Sequence, residues 1–313
     1  MGRGVSRYGI VDRNTPITTS VKETAGGLPA VISAWKHGVS KMGFVGSTVS
    51  LGKANQKRGF DCPGCAWPDP KHRSPFEYCE NGAKAVSDEA TIKTIPDSFW
   101  QEHSIHALGR KSDQWLNSQG RLSRPLILER DSNHYVPSDW DRAIGIIAKS
   151  LDALEDPNDA YFYTSGRASN EAAYLWQLLA RQYGTNNLPD CSNMCHESSG
   201  VALNESIGIG KGTVRLEDFD KADLIVIVGQ NPGTNHPRML SALKSAKKSG
   251  ASVLSINPLK ETGMRRFRHP QSPIDMLGAG TQISDDHVNI KINGDMALFL
   301  SLIHISEPTR RSM

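Results

Sequence analysis

Three stretches of the sequence carry side chains able to do metal or proton chemistry. The first is Cys62-Pro-Gly-Cys65, followed by Cys79. Two thiols on one tight turn are spaced to hold an iron–sulfur cluster or a zinc ion, and Cys79 offers a third sulfur. The residues alone leave three readings open: a cluster, a zinc site completed by His72 or His103, or an inert pair in a proline-rich loop. The second stretch is Cys195-His196, just ahead of a helical pattern from Glu197 to Ile207. A thiol near a helix N-terminus ionises more readily, and the thiolate is the metal-binding form. The adjacent imidazole can relay a proton near neutral pH. Taken alone, the pair reads as a buried cysteine beside a hydrogen-bonded histidine. The third feature is a set of polar loops, TSGRASNE, GQNPGTNHP, INPLKE and NGD, each placed at the end of an apolar run.

These stretches need elements to position them. The pattern predicts a strand over Ala160–Thr164, then Ser169 as the cap of an amphipathic helix Asn170–Tyr183. A second helix follows His196. Next come a strand Leu224–Val228, a helix from about Pro237 to Ser249, and strands Ser252–Ile256 and Val288–Ile292. This βαβ order predicts an α/β fold with a doubly wound parallel sheet and helices on both faces. Ligands of such sheets bind beyond the carboxyl ends of the strands, where the polar loops fall. Upstream, Ser138 and Asp139 are predicted to cap a helix Trp140–Leu154. The segment Phe60–Ala85 contains four prolines and is expected to be a ligand-holding loop without regular structure.

The expected organisation is a mobile or draped leader over 1–58 with a short helix around Ala30–Lys41, a small irregular cysteine-bearing region over 59–140, and the α/β region over 141–299. The run LSLIHISEPTR, from Leu300, resembles a translated sequencing-library adapter, so 300–313 is set apart as a tail that interrupts a helix begun at Asp295. The string Gly208-Ile-Gly-Lys-Gly212 lacks both the preceding strand and the spacing of a phosphate loop.

Composition narrows the function classes. A chain of 313 residues, 38% hydrophobic and 22% charged, is long enough for two domains. A formal charge of +3 with no basic run argues against nucleic acid as a partner. The apolar stretches fall far short of the ~20 residues of a spanning helix, so no membrane segment is expected. The first thirty residues lack the apolar core of a secretory signal, which implies a cytoplasmic protein. Five cysteines, an odd number in a reducing compartment, point to metal ligation or catalysis rather than disulfides.

The run TSGRASNEAAYLWQLLARQYGTNNLPDCSNMCHESSGVAL, then LIVIVGQNPGTNHPRM, then INPL, closely resembles molybdopterin oxidoreductases of the formate-dehydrogenase-like group. The strings FDCPGCAWPDP and CENGAKA resemble a subgroup associated with bacterial acid resistance. The likeness runs from about Gly59 to Phe299. It implies that Cys195 binds molybdenum and that His196 assists proton transfer. It further implies Mo-bis(molybdopterin guanine dinucleotide), with its diphosphate and guanosine portions along the strand-end loops. The candidate contacts are Asn170, Glu171, Gln230, Asn231, Asn235, His236, Asn257 and Asp295, with Gly229 and Gly233 allowing close backbone approach. Each of these is also a residue that turns prefer.

The same resemblance assigns Cys62, Cys65 and Cys79 to a [4Fe–4S] cluster. Two departures stand out. A fourth cluster cysteine is missing after Cys65, and Asn81 occupies the position where the family often has a lysine, leaving Lys84 as the nearest candidate electron relay. The implied reaction is two-electron oxidation or reduction of a small molecule, formate first among them, with electrons leaving to an unidentified acceptor. Because the family's substrate-binding arginine lies further along, the chain is expected to be an N-terminal piece, inactive alone. A zinc-binding interaction module on an α/β scaffold is the alternative. An NAD enzyme is disfavoured by the missing G-x-G-x-x-G.

Overall fold

The computed structural model describes residues 22–65 and 67–306. The start of the leader and the end of the tail lie outside the described residues. The elements that position the candidate residues are, in chain order, α1 (Gly27–Lys53), α2 (Glu80–Glu89), α3 (Trp140–Asp152), α4 (Asn170–Tyr183), α5 (Cys191–Ile207), β1 (Leu224–Val228), α6 (Met239–Lys248), β2 (Ser252–Asn257), β3 (Asp286–Asn289) and α7 (Asp295–Ser306). Among the described residues no helix is long and apolar enough to cross a membrane.

The chain divides into two compact units that do not follow chain order. One comprises Thr91–Thr213, and the other joins the described part of Thr18–Ala90 to that of Val214–Met313. These units cut across the sequence-based ranges 59–140 and 141–299. The cysteine loop belongs with the parallel sheet, and Cys195 belongs to the other unit.

In the unit spanning 91–213, side-chain caps start the helices. The Asp139 carboxylate accepts from Arg142 N at 2.7 Å to begin α3, and Ser169 Oγ accepts from Ala172 N at 3.2 Å to begin α4. Each occupies one of the amide donors that a helix start leaves unbonded. Helix α4 ends at Gly184, whose φ of 109° suits a residue without a Cβ. Ala160, Phe162 and Ala180 form a small core with Leu151, Tyr183 and Leu188 around them. The strand expected over Ala160–Thr164 is an extended segment with a single bridge, Thr164 to Asp190. Its inward–outward alternation is present, since Phe162 is buried while Tyr161 and Tyr163 are exposed. Phe162 N donates to Asn187 O, but the facing segment contains Pro189, which has no N–H to return, and no ladder extends.

The other unit holds the three-stranded parallel sheet in the order β1-β2-β3, the parallel α/β arrangement that the sequence predicts. Strand β3 begins and ends before the expected Val288–Ile292. The cause is Asp285: its amide donates to Val253 O at 2.8 Å, and its carboxylate accepts from Val253 N at 2.7 Å and from Lys247. These bonds start the pairing early. Behind the sheet, Ile227, Met239, Leu240, Leu243, Val253, Met264, Phe267 and Ile283 form the largest core.

The leader contains a much longer helical element than the expected Ala30–Lys41. Helix α1 turns sharply at Gly43, whose φ of 71° and ψ of 174° are non-helical. The halves pack on one another, so that a Cβ on Gly38 would meet Ser47 Oγ at 3.1 Å and Leu51 Cδ1 at 3.6 Å. Both pack against α2, burying Ala34, Met42, Leu51, Ala83 and Val86. Helix α2 itself enters the segment expected to lack regular structure. At the other end, α7 continues through Leu300 to Ser306 instead of stopping there. Leu, Ile and Ser residues sustain a helix locally, whatever their exposure.

Leu243 is fully buried in the main core. Leu243→Ala is expected to cost about 2–5 kcal/mol in urea unfolding, whereas exposed Ile274→Ala stays within about 0.5 kcal/mol. The bond from Lys247, then that from the Val253 amide, holds the Asp285 carboxyl below its usual range. Its contribution to stability is therefore present above the ordinary carboxylate pKa and lost as pH falls through the lower folded value. Thermal melts of Asp285→Asn against pH are expected to show lower stability at pH 7 and a shallower decline below pH ~4.

Candidate functional site

The cysteine loop is assembled by polar contacts rather than by regular structure. Cys79 caps α2, with its sulfur accepting from Gly82 N at 3.2 Å. Burial pushes the Cys79 thiol up, opposed by the Gly82 bond, and the neighbouring Cys62 and Cys65 add to the rise. All three cysteines are therefore gathered in one neighbourhood, unpaired and half-buried. Gly82 faces two of them: a Cβ there would stand 3.1 Å from Cys62 Sγ and 3.6 Å from Cys79 Sγ. The space beside the sulfurs is kept open by the absence of a side chain.

Buried Asn55 ties the loop together. Its φ of 56° is unusual for a residue with a side chain. Its Oδ1 accepts from Cys62 N at 2.9 Å, while its Nδ2 donates to Glu77 O at 2.7 Å. Among the described residues no three His, Cys, Asp or Glu side chains are gathered as ligands of a single ion. His72 lies in the same unit as the cysteine loop, and His103 in the other. Three soft thiols in one neighbourhood are the donor chemistry that iron–sulfur clusters use, each thiolate binding a different iron. Lys84, the candidate relay, donates to Glu80 Oε1 at 2.7 Å as an i,i+4 pair.

The strand-end loops of the same unit lie at one edge, because parallel strands send all their carboxyl ends the same way. Side chains stitch these loops together. Asn257 is 6% exposed, and both ends of its amide are engaged: Nδ2 donates to Gln230 O at 3.2 Å and Oδ1 accepts from Leu259 N at 3.0 Å. Asn289 Nδ2 donates to Pro258 O at 3.1 Å. Gln230 Nε2 and His236 Nδ1 are 3.1 Å apart. The Asn231 carbonyl accepts from Thr234 N and Asn235 N, closing the turn. Asn235 and Asp295 are exposed, Asp295 in the first turn of α7. Gly229 has a φ of 66° and open space where a Cβ would be, whereas the neighbour that approaches Gly233 is Gly263, whose Cα would lie 3.1 Å from an added Cβ.

Cys195 and His196 are exposed in the other unit, with Asn170 and Glu171 in the exposed first turn of α4. Helix α5 starts at Cys191, so Cys195 lies within the helix and not ahead of it. Met194 N already donates to Asp190 O. Residues Cys191–Met194 extend the helix upstream, so the influence of the helix N-terminus on Cys195 is weaker than expected.

Sequence reasoning missed the residues that join the cysteine loop to the sheet. Arg238, at the start of α6, reaches Asp69 Oδ1 at 2.7 Å, Glu77 Oε1 at 2.9 Å and the Trp67 carbonyl at 3.4 Å. Asn81 Nδ2 donates to Thr234 O at 2.8 Å, and Trp67 packs edge-on to Phe219 at 5.7 Å. A cavity of about 360 Å³ opens between these loops, lined by Trp67, Cys79, Asn81, Phe219 and Arg238 among others. The motif HPRM was visible in the sequence, but nothing there revealed which carboxylates its arginine meets.

Comparison with known proteins places this arrangement. Residues 121–306 match the profile of the molybdopterin oxidoreductase family. An uncharacterized oxidoreductase of Mycobacterium tuberculosis strain H37Rv is 53% identical over 282 residues, covering 90% of this chain and 36% of that protein. Protein YdeP of Escherichia coli K12 is 48% identical over 287 residues, 91% of this chain and 38% of that protein. A Staphylococcus aureus USA300 protein provisionally named formate dehydrogenase is 30% identical over 232 residues, 69% of this chain and 23% of that protein. The chain thus spans between 36% and 38% of the length of its most similar relatives among these. With the family profile covering more than half of the sequence, the chain belongs to the molybdopterin oxidoreductase family.

Proposed function

We propose that the chain supplies the iron–sulfur and molybdenum ligands of an oxidoreductase performing two-electron chemistry on a small molecule, with formate as the leading substrate. Family membership brings a molybdopterin cofactor and oxidoreductase chemistry with an electron acceptor. The finer reading adds Cys195 as the molybdenum ligand, His196 as its proton relay, and the guanine dinucleotide form of the cofactor. It also adds a [4Fe–4S] cluster on Cys62, Cys65 and Cys79. The single observation that carries the cluster is the approach of Cys62 and Cys79 to the side-chain-free face of Gly82, with Cys65 close enough to act electrostatically on Cys79. Exposure of Cys195 and His196 suits a ligand that must be reached by metal and substrate.

The chain's own residues have definite tasks in this reading. Asn257, Gln230 and His236 hold the shape of the strand-end loops, and the backbone around Gly229 is the open part of that edge. Asn235, Asp295, Asn170 and Glu171 are the polar candidates for the nucleotide portions, and Asn231 and Gly233 act chiefly by forming the turn. When bound, molybdenum with its pterin supplies the two-electron couple. His196 would take or return the substrate proton as imidazole. The 30% identical protein provisionally named formate dehydrogenase supports formate. A cytoplasmic location is part of the same proposal and is supported by the free cysteines.

Anaerobic reconstitution with iron and sulfide tests the cluster. The expected outcome is broad absorption near ~400 nm and on the order of four irons per chain, with both reduced severely by Cys79→Ser. A colourless protein that takes up zinc would overturn it. For molybdenum, the chain can be continued with the remaining sequence of the E. coli relative and produced in a host that makes the cofactor. Cys195→Ala is then expected to lower retained molybdenum at least about tenfold with iron content unchanged, and unchanged molybdenum would remove Cys195 from the ligand set.

A further inference from the structure

We propose that Arg238 is the positioning residue of the cysteine site, fixing where Cys79 stands relative to Cys62 and Cys65. This rests on the iron–sulfur reading above and adds the device that organises it. The span between Cys65 and Cys79 has no helix or strand among its described residues, so its course is set by its anchors. Arg238 is bonded to both arms of that span: Trp67 and Asp69 follow Cys65, and Glu77 precedes Cys79. Its own base is rigid, since it leads into α6, where Met239, Leu240 and Leu243 are buried in the main core.

The contact is continued to the first cysteine pair. Glu77 binds Arg238 through its carboxylate and Asn55 through its carbonyl, and Asn55 accepts the Cys62 amide. Arg238, Glu77, Asn55 and Cys62 thus form one unbroken polar chain. The same carboxylate accepts from Ser74 N and Oγ, and Asp69 is shared with Arg73 at 3.0 Å. Two guanidiniums and two carboxylates balance in charge, and the Arg238 side chain is only 11% exposed. A lysine has no planar fork with which to hold both arms. Asn81, bonded to Thr234 O, is a second strut from the cysteine side to the same strand-end loop.

The test uses the 313-residue chain with Arg238→Gln, Arg238→Lys and the milder Glu77→Gln. In the metal-free proteins, mass spectrometry follows alkylation of each cysteine by iodoacetamide. Arg238→Gln is expected to speed modification of Cys62 and Cys79 by about tenfold or more through local opening, with exposed Cys195 unchanged, and Arg238→Lys to give an intermediate rate. After anaerobic reconstitution, Arg238→Gln is expected to lower bound iron and alter the visible spectrum, with partial rescue by lysine. Unchanged alkylation of Cys62 and Cys79 in folded Arg238→Gln would overturn the proposal. So would uniform acceleration of all cysteines with lost cooperative melting, which marks a general folding role. If Arg238→Gln does not fold, Glu77→Gln decides by the same readouts. If the unsubstituted chain binds no iron, the cluster reading fails, while the alkylation rates still decide the role of Arg238.

Discussion

A single guanidinium, that of Arg238, is held between two carboxylates on a span of chain without helix or strand, and the geometry of the cysteine site depends on it. Removing such a cation from water is costly unless its donors are met, and here Asp69, Glu77 and the Trp67 carbonyl take four hydrogen bonds from it. Ion pairs of this kind are weak contributors to net stability. Their strength is geometric, because leaving either partner unmatched is severely penalised. The loop is therefore confined to conformations that return Asp69 and Glu77 to the same place. An irregular loop, which has no repeating backbone bonds to define its course, gains a definite one from that constraint.

The parallel sheet supplies the other half of the arrangement. Its strands deliver three loops to one edge, and those loops are rich in amides that first bond to one another. Asn257 illustrates the trade: its side chain joins two loops and closes a turn, so its amide shapes the edge. Likewise Gly233 admits Gly263 close against it, a packing role beside the ligand role implied by resemblance. Polar residues at the ends of strands serve the backbone first because buried carbonyls and amides must be bonded. What faces outward is the open backbone at Gly229 and the exposed Asn235 and Asp295.

Much of this was legible in the residues. Helix α4 runs over the predicted range because Ser169 and Gly184 are local signals that act through their nearest neighbours. Strand β1 is found where a short apolar run is flanked by polar turns. Other features were hidden. The reversal of α1 at Gly43 looked like one glycine among several in the leader, and the failed strand at Ala160–Thr164 depended on a proline in the segment opposite. Cys195 was placed ahead of a helix because the upstream residues carry no strong helical pattern.

Taken by itself, the sequence determined the family, the α/β class, the identity of the thiols and the starts of α3 and α4, since each depends on residue type or on short-range spacing. Only the tertiary structure decided that the cysteine loop belongs with the parallel sheet, that Arg238 meets Asp69 and Glu77, and that Asn81 bonds to the Thr234 carbonyl. Those pairings join residues far apart in the chain. A side chain's type states what it can bond to, but which distant partner it meets is settled by the packing of the whole unit.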